Sequence, residues 1–513
     1  MTPQEKLAAS LAKLEELQRS GRRVFRSREL GRVHRERLVQ QGFLREIMRG
    51  WLLATSPDAD PGDTTPWYAS FWEFCAAYCN ERFGDRWHLS PEQSLLLLAE
   101  NTVIPDQLVV HAPQGTNNNV ELLFGSSLYD LKRPALPPEG DLVRRRELLL
   151  YGTVPALLKV PPPFFRRHPI EAEVVLTGLD RPSELISRLL DGGHTVIAGR
   201  LAGALRRVGR RDIAQEIIDA MRSAGYDVRE ADPFADAGTV TPLQTPAAPI
   251  AGRLQALWHS SRGPILRAFS DTPKPRLDAK TYLRRVDEVY ESDAYHSLSI
   301  EGYVVTPELI ERVRAGDWQP DERDADRKSR DALAARGYWE AFQLVKESVR
   351  QILAGESAAE LIREAHRHWY RALFQPSVRV GLIPASALAG YRNDAVFIRG
   401  SRHVPPRREA VPEAMSALFD LLEGESEPAV RAVLAHWLIG YIHPYPDGNG
   451  RMARFAMNAM LASGGYPWTV IRVEDRDDYL QALERASVDN DITPFATFIA
   501  ACVRSFEHAV GSL

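Results

Sequence analysis

The chain has 513 residues, of which 44% are hydrophobic and 26% charged, and its net charge is −4. This length favours roughly three domains, and the composition excludes wholesale disorder, collagen and coiled-coil fibres. No apolar run approaches the roughly 20 residues that span a bilayer, and the first residues lack a secretory signal, so we expect no membrane partner. Three cysteines are too few for a disulfide framework and predict a cytoplasmic location.

Positive charge is concentrated at the N-terminus. Residues 1–50 hold 12 Lys and Arg against 6 Asp and Glu, a net charge of +6, whereas residues 51–250 carry −7 and residues 251–513 carry −3. Such an asymmetry favours a phosphate-bearing partner for the first segment.

Residues 1–55 have the pattern of a small winged helix-turn-helix domain. A leucine stripe predicts a helix over residues 3–18, a short helix is expected over residues 27–30 and a basic helix over residues 33–40, and residues 43–53 favour a two-stranded wing. The layout resembles the N-terminal part of AbiEi-type antitoxin regulators. The alternative is a solvated helical bundle whose arginines bind nothing. The residues predicted to contact DNA are Arg32, Arg35 and Arg37.

The middle of the chain, residues 56–230, has a mixed α/β pattern with no chemistry that we can identify. Short strands are expected near residues 108–110 and 120–124, a turn at residues 117–119, and helices over residues 182–190, 198–207 and 212–222. A stretch rich in Pro, Ala and Thr then predicts a linker, assigned to residues 231–262, before a C-terminal domain of residues 263–513.

The chemistry lies in residues 443–454, whose sequence is HPYPDGNGRMAR. An amphipathic helix precedes this segment and is stopped by Pro444 and Pro446. The two glycines at 448 and 450 allow a tight turn and close approach to a ligand. A second helix is expected to begin near Asn449, and its unpaired first-turn N–H groups form an anion site.

The side chains of this segment suit phosphoryl-type transfer from a nucleotide. Arg451 and Arg454 are three residues apart, so both guanidinium groups project from one face and suit a polyphosphate. Asp447 offers a hard oxygen ligand for Mg²⁺, and His443 is placed to accept a proton. The alternative is a surface loop between two helices in which His443 has no role. No Gly-Lys-Ser/Thr follows the glycines, which excludes a P-loop.

These residues resemble the signature of the Fic family, His-x-Phe-x-Asp/Glu-Gly-Asn-Gly-Arg-x-x-Arg, with Tyr445 in place of Phe. The resemblance extends from near residue 265 to residue 505. It implies an all-helical core with a β-hairpin flap, and hence a mainly α chain. It also implies a protein adenylyltransferase that moves AMP from ATP to a Tyr, Thr or Ser hydroxyl of a target protein.

The resemblance also assigns roles within the motif. It makes His443 the base, Asp447 the Mg²⁺ ligand, and the segment Gly448, Asn449 and Gly450 the receptor of the α-phosphate. It gives the outer phosphates to Arg451 and Arg454.

An upstream segment, residues 297–302, matches the inhibitory pattern of the family, Ser/Thr-x-x-x-Glu-Gly/Asn, through Ser297, Glu301 and Gly302. The resemblance implies that Glu301 pairs with Arg454 and occupies the guanidinium that the γ-phosphate needs. The alternative is an ordinary helix end that is capped at Gly302.

Two further segments carry weaker resemblances. Val396, Phe397 and Ile398 match the flap, on which a target segment pairs as an added strand; the alternative is a plain surface hairpin. Tyr479 lies where the family often places an aromatic residue near the adenine, with core packing as the alternative, and Ser487 stands where relatives often have Asn.

The sequence leaves other functions open. The same loop in relatives removes AMP, or transfers UMP or phosphocholine. A DNA-binding transcription regulator whose Fic core only senses a nucleotide is a second alternative. The sequence is compatible with a homo-oligomer and does not name the target protein.

Overall fold

The computed structural model describes residues 2–57, 62–145, 147–180, 182–234, 248–272, 274, 277–316 and 330–510. The chain divides into two compact units. The first comprises Met1–Pro249 and Phe397–Val404, and the second comprises Ile250–Val396 and Pro405–Leu513.

The first unit mixes helices and strands. Its elements are α1 (Pro3–Gln18), β1 (Val24–Arg26), α2 (Arg32–Gln40), β2 (Leu44–Met48), β3 (Trp51–Ala54), α3 (Thr65–Phe83), β4 (His88–Leu89), α4 (Pro91–Leu98), β5 (Gln107–Ala112), β6 (Asn118–Glu121), β7 (Ser127–Lys132), β8 (Leu142–Arg145), β9 (Leu148–Tyr151), α5 (Thr153–Lys159), α6 (Phe164–Arg167), α7 (Pro169–Thr177), α8 (Pro182–Asp191), α9 (Thr195–Arg207) and α10 (Arg211–Ser223).

The N-terminal part of this unit packs two helices on a three-stranded antiparallel sheet of order β1-β3-β2. Thr2 caps α1 through a capping box with Glu5, which fixes where that helix begins. Phe25, Leu38 and Leu52 are buried in the small apolar core between helices and sheet. Instead of the expected short helix, residues 27–29 form a single 3-10 turn.

A second sheet has the order β4-β5-β7-β6, with β5 and β7 parallel and the other pairs antiparallel. The prediction of a turn at residues 117–119 is wrong for its last two residues, because Asn118 and Asn119 lie in β6 and pair with β7. The expected strand over residues 120–124 ends at Glu121, since Phe124 adopts a left-handed φ of 54° in a 3-10 turn. The three helices predicted from the sequence after residue 180 are present as α8, α9 and α10.

The described part of the second unit is helical. Its elements are α11 (Pro249–Ala268), α12 (Ala279–Ile300), α13 (Pro307–Ala315), α14 (Arg330–Leu353), α15 (Ala358–Arg379), α16 (Val411–Gly424), α17 (Pro428–Ile442), α18 (Asn449–Ser463), α19 (Arg476–Val488) and α20 (Thr493–Val510). Residues 249–262, which the sequence assigned to a linker, lie in α11, because Leu254, Leu257 and Trp258 form a buried face. Residues 235–247 of that linker lie outside the described residues.

Helices α17 and α18 lie at the centre of this unit. α17 is apolar on all sides, and nearly every residue of α18 from Asn449 to Ala462 is buried, including its two arginines. The loop of residues 443–448 that joins them is therefore held by well-packed helices at both ends. None of the described helices combines the length and apolar character that crossing a membrane requires.

Candidate functional site

His443 ends α17 in a left-handed conformation with φ of 52°. Its backbone N–H donates to the carbonyl of Ile439 at 2.9 Å. On the imidazole, Nδ1 lies 3.2 Å from the carbonyl oxygen of Gly440. Because a carbonyl only accepts, this contact assigns the proton to Nδ1 and leaves the Nε2 lone pair free. Burial lowers the pKa of His443, so the ring is neutral at pH 7 and able to accept a proton.

The loop after His443 is closed by the side chain of Asn449. Its Oδ1 accepts from the backbone N–H of Tyr445 at 2.9 Å, and its Nδ2 donates to the Tyr445 carbonyl at 2.8 Å. Asn449 is 2% exposed. The resemblance gave this side chain a phosphate contact, but here it holds the loop in shape.

Tyr445, the aromatic residue that departs from the family signature, stacks on Tyr370 with ring centroids 3.8 Å apart. Its hydroxyl has no hydrogen-bond partner among the described residues, and burial raises its pKa. The hydroxyl therefore adds a buried polar atom without changing the ring packing.

The N-terminus of α18 holds two glycines in close contact with neighbouring side chains. Gly448 caps the helix with φ of 79°, and a Cβ added at this position would meet the Phe374 ring at 2.8 Å. At Gly450, a Cβ would meet a carboxylate oxygen of Glu301 at 2.2 Å. Glycine is thus required for the turn at 448 and for close approach at 450.

The Arg454 side chain is 4% exposed and is bound to the end of α12. Its Nε donates to Ser297 Oγ at 2.8 Å, and its Nη2 donates to the Ser297 carbonyl at 3.0 Å and to Glu301 Oε1 at 2.6 Å. Burial alone would lower the pKa of Arg454, but the carboxylate of Glu301 outweighs it and the pKa is raised.

Arg451 is held between two aromatic rings. Its guanidinium carbon lies 5.3 Å from the ring centroid of Tyr303 and 5.0 Å from that of Phe374, which is cation–π range. Among the described residues, no hydrogen-bond partner contacts Arg451 Nε or Arg454 Nη1. Two buried cationic donors with spare N–H groups at a helix N-terminus are suited to an anion.

Glu301 follows the last residue of α12, where Gly302 turns the chain with φ of 84°. Burial would raise the pKa of Glu301, but the charges of Arg454 and Arg451 outweigh this effect and the pKa lies below its ordinary value of 4.5. The predicted inhibitory residues Ser297, Glu301 and Gly302 are thus brought together with Arg454.

Asp447 has a side chain that is 58% exposed. Its Oδ1 accepts from the Gly448 N–H at 2.6 Å, and its Oδ2 lies 3.5 Å from Arg451 Nη2. Within the described residues, no group of three or more His, Cys, Asp or Glu side chains is arranged to hold a metal. One exposed carboxylate beside a helix N-terminus suited to an anion nevertheless fits Mg²⁺, which binds one or two carboxylates together with substrate phosphates.

Tyr479 is a core residue. It is 2% exposed, and its hydroxyl lies 3.0 Å from Nε2 of His436. Ser487 Oγ accepts the indole N–H of Trp437 at 3.0 Å. The packing alternative for Tyr479 thus describes the geometry better than an open adenine contact.

The expected β-hairpin flap is absent: none of the described residues 390–406 is in a strand. Backbone groups that a hairpin would pair are bonded elsewhere. The carbonyls of Asp394 and Pro406 accept from the guanidinium of Arg392, and Pro405 and Pro406 have no N–H to donate. The predicted docking residues Val396, Phe397 and Ile398 therefore do not form a ready strand edge.

The three N-terminal arginines differ in availability. The Arg32 side chain is 81% exposed and pairs with Glu36 at 2.7 Å. Arg35 Nη1 lies 3.4 Å from the carbonyl of Ser27. Arg37 is half-buried and joins α2 to α1, its Nη1 donating to the Lys6 carbonyl and to Ser10 Oγ, so part of its guanidinium is engaged within the domain.

Sequence reasoning missed three residues that shape this site. They are Phe374 and Tyr303, which enclose Arg451, and Arg392, which contacts the backbone of His443. The neighbours of Arg392, which include Asn393 and Asp394, do not mark it in the sequence as a contact of His443. Nothing local marks the two aromatic residues.

Residues 357–461 match the family model described as Fic/DOC family. The chain is 33% identical over 223 residues to the Protein adenylyltransferase Fic of Nematostella vectensis, covering 43% of this chain and 48% of that protein. It is 31% identical over 230 residues to the protein of the same name from Drosophila willistoni, covering 44% of this chain and 42% of that one. The chain thus spans less than half the length of these relatives. A solved structure, Fic-1 (residues 134–508) from C. elegans, is similar with a TM-score of 0.37 and 19% identity, over 65% of this chain and 93% of that one.

Proposed function

We propose that this chain, which carries a Fic domain over residues 357–461, transfers AMP from ATP to a hydroxyl side chain of a target protein and is restrained by Glu301. One observation carries the proposal. A neutral imidazole, a helix N-terminus and two buried arginines with spare N–H groups meet at the turn between α17 and α18.

The chemical step follows from the tautomer of His443. Nε2 accepts the proton of the target hydroxyl, and the freed oxygen attacks the α-phosphorus of ATP. A new phosphorus–oxygen bond forms, the bond to the bridging oxygen of the β-phosphate breaks, and pyrophosphate leaves with that electron pair. The N–H groups at the start of α18 are suited to the charge that develops on the α-phosphate.

The charged residues of the motif are suited to binding the outer phosphates and a metal ion. Arg451 and Arg454 are suited to the outer phosphates because both are cationic donors on one face of α18. Asp447 would hold Mg²⁺, which when bound neutralises phosphate charge and favours departure of pyrophosphate.

Restraint would come from competition for one guanidinium. In the geometry described above, Arg454 Nη2 is engaged by Glu301 at 2.6 Å, and the same Nη2 also donates to Ser297. A γ-phosphate that binds Nη2 of Arg454 must displace that carboxylate. Pairing of this kind would therefore slow transfer without removing any catalytic group.

Incubation of the full chain carrying Glu301→Gly with labelled ATP, UTP and CDP-choline tests the transferred group. We expect label from α-labelled ATP to enter protein, and little from the other two donors. If label enters protein only from UTP or only from CDP-choline, the transferred group is UMP or phosphocholine and not AMP. Loss of AMP from a premodified protein, with no addition, would favour the removal reaction.

A second candidate function, DNA binding, is supported by the N-terminal charge and by the exposure of Arg32 on α2, next to the hairpin of β2 and β3. Positive side chains on an exposed helix are suited to phosphates of a duplex groove.

A cytoplasmic location is also part of the proposal: the three cysteines are free thiols, which is compatible with the cytoplasm.

Changing Arg32 and Arg35 together to alanine should weaken binding of the full chain to duplex DNA. Because each phosphate contact releases counterions, the slope of log affinity against log salt should become shallower by about 2. Lys13→Ala with Arg19→Ala is the matched control on α1. An equal loss in both double variants, or no salt-dependent binding by the parent chain, would refute the DNA proposal.

A further inference from the structure

Arg392 is a buried cation outside the motif. It lies in the loop between α15 and α16 and is 3% exposed. Burial lowers its pKa to about 10, so the side chain remains charged at neutral pH. Burying a charge is costly unless its donors are satisfied, which raises the question of what this guanidinium binds.

Arg392 donates its hydrogen bonds to backbone carbonyls, and three of these carbonyls belong to the end of α17 and the start of the turn that follows it. Its Nε donates to the His443 carbonyl at 2.7 Å and its Nη2 to the Ile442 carbonyl at 3.4 Å. Its own backbone N–H donates to the Pro444 carbonyl at 2.9 Å. The remaining guanidinium bonds reach Asp394 and Pro406 in its own loop. Arg392 therefore joins that loop to three successive residues, to Ile442 and His443 through its side chain and to Pro444 through its backbone N–H.

These contacts stabilise an otherwise unfavourable geometry. The left-handed conformation of His443 is unfavourable for a residue other than glycine. The carbonyls of Ile442 and His443 are at the end of α17, where backbone acceptors lack helical partners and a cation is favourable. Arg392 satisfies both carbonyls and thereby fixes the direction in which the imidazole leaves the backbone.

We propose that Arg392 is a positioning residue for the transfer reaction, holding the backbone of His443 so that Nε2 faces the substrate and placing its positive charge beside the imidazole. This inference rests on the proposed function of His443 as the base.

The electrostatic part depends on three charged groups that face His443. Burial first, then the charge of Arg392, lowers the pKa of His443, whereas Glu301 and Asp447 raise it, as does the Gly440 carbonyl. Removing only the charge of Arg392 should therefore raise the pKa of His443. Replacing the forked guanidinium of Arg392 by another cationic group should leave the pKa of His443 nearly unchanged.

Arg392→Met and Arg392→Lys separate these two effects in the full chain carrying Glu301→Gly. Methionine removes the charge and the fork, and lysine keeps the charge. Arg408→Met is the matched control, since Arg408 also donates to a loop carbonyl, that of Asn393, but is exposed and has no contact with His443 among its described bonds.

Two measurements are needed. The first is the rate of AMP transfer with the affinity for ATP. The second is the pH dependence of acylation of half-exposed His443 by diethylpyrocarbonate, which reacts with neutral imidazole and is followed at that peptide by mass spectrometry. The second readout needs no enzymatic activity, so it tests the positioning of His443 even if AMP transfer is not the reaction.

We expect both Arg392 variants to lose transfer by about ten- to a hundredfold, as small displacements of a catalytic group do, with ATP affinity nearly unchanged. Only Arg392→Met should move the acylation midpoint of His443 to higher pH. Transfer at the parental rate in Arg392→Lys, an unmoved midpoint in Arg392→Met, or an equal loss in Arg408→Met would each overturn the proposal. If the parent chain transfers no AMP but Arg392→Met still moves the acylation midpoint of His443 to higher pH, AMP transfer is refuted and the role of Arg392 is retained.

Discussion

Replacing His443 by alanine is expected to reduce AMP transfer by about 10²–10⁴-fold, the usual contribution of a positioned general base. Nδ1 is engaged with the Gly440 carbonyl, so Nε2 carries the free lone pair that can accept the proton of the target hydroxyl. ATP affinity should change little, since the phosphate donors Arg451 and Arg454 are untouched. The measurement is single-turnover transfer from labelled ATP beside equilibrium binding of ATP, in the background of Glu301→Gly.

The matched control is His368→Ala, which removes an exposed imidazole from α15 in the same unit. It should transfer at the parental rate. The pH profile gives an independent check: because the pKa of His443 is lowered by burial, the parental rate should stay high down to a pH below the ordinary 6.5 of histidine. Transfer that survives His443→Ala, or an acidic limb above pH 7, would exclude His443 as the base.

What could be predicted from the sequence is the part of the site that is local in the chain. His443, Asp447, Arg451 and Arg454 lie within twelve residues on a turn and one helical face, so helix periodicity alone brings them together. The pairing of Glu301 with Arg454 joins residues far apart in sequence, and was reached only through the family resemblance.

What could not be predicted depends on tertiary competition for hydrogen bonds. The segment around Phe397 has strand-like composition, but Arg392 takes carbonyls that a hairpin would have used. Arg37 has the charge of a DNA-contacting residue, and its position against α1 was not encoded in its neighbours. Tyr479 is equally suited to a ligand and to a core, and only the position of His436 decides between them.

Replacing Glu301 by glycine is expected to raise self-modification and transfer at least tenfold. An increase of this size needs only about 1.4 kcal/mol of relief, which is modest for freeing a buried, hydrogen-bonded cation. The change frees Arg454 Nη2 and opens the space beside Gly450 that the carboxylate now fills. Mass spectrometry for added AMP on the purified chain and in a cell lysate measures the effect.

Two variants make this test specific. Glu356→Gly removes an exposed carboxylate from a non-helical position of the same unit and should leave activity at the parental level. Glu301→Gln keeps the length of the side chain without its charge and should give an intermediate rate. Unchanged activity in Glu301→Gly, with ATP binding intact, would refute the restraint.

The pH dependence of this restraint has a defined sign. The pKa of Glu301 in the folded chain lies below its ordinary value of 4.5, so its pairing with Arg454 contributes stability above that value and loses it only as the pH falls through the lowered pKa. The pair therefore persists across neutral pH, and protonation cannot be what frees Arg454 there.

α12 is also anchored away from Glu301, through Tyr338 to Asp293 at 2.6 Å and Tyr282 to the Tyr466 carbonyl at 3.1 Å. Release in the native chain then requires movement of the segment after Ser297, where Glu301 pairs with Arg454 and the Tyr303 ring contacts Arg451.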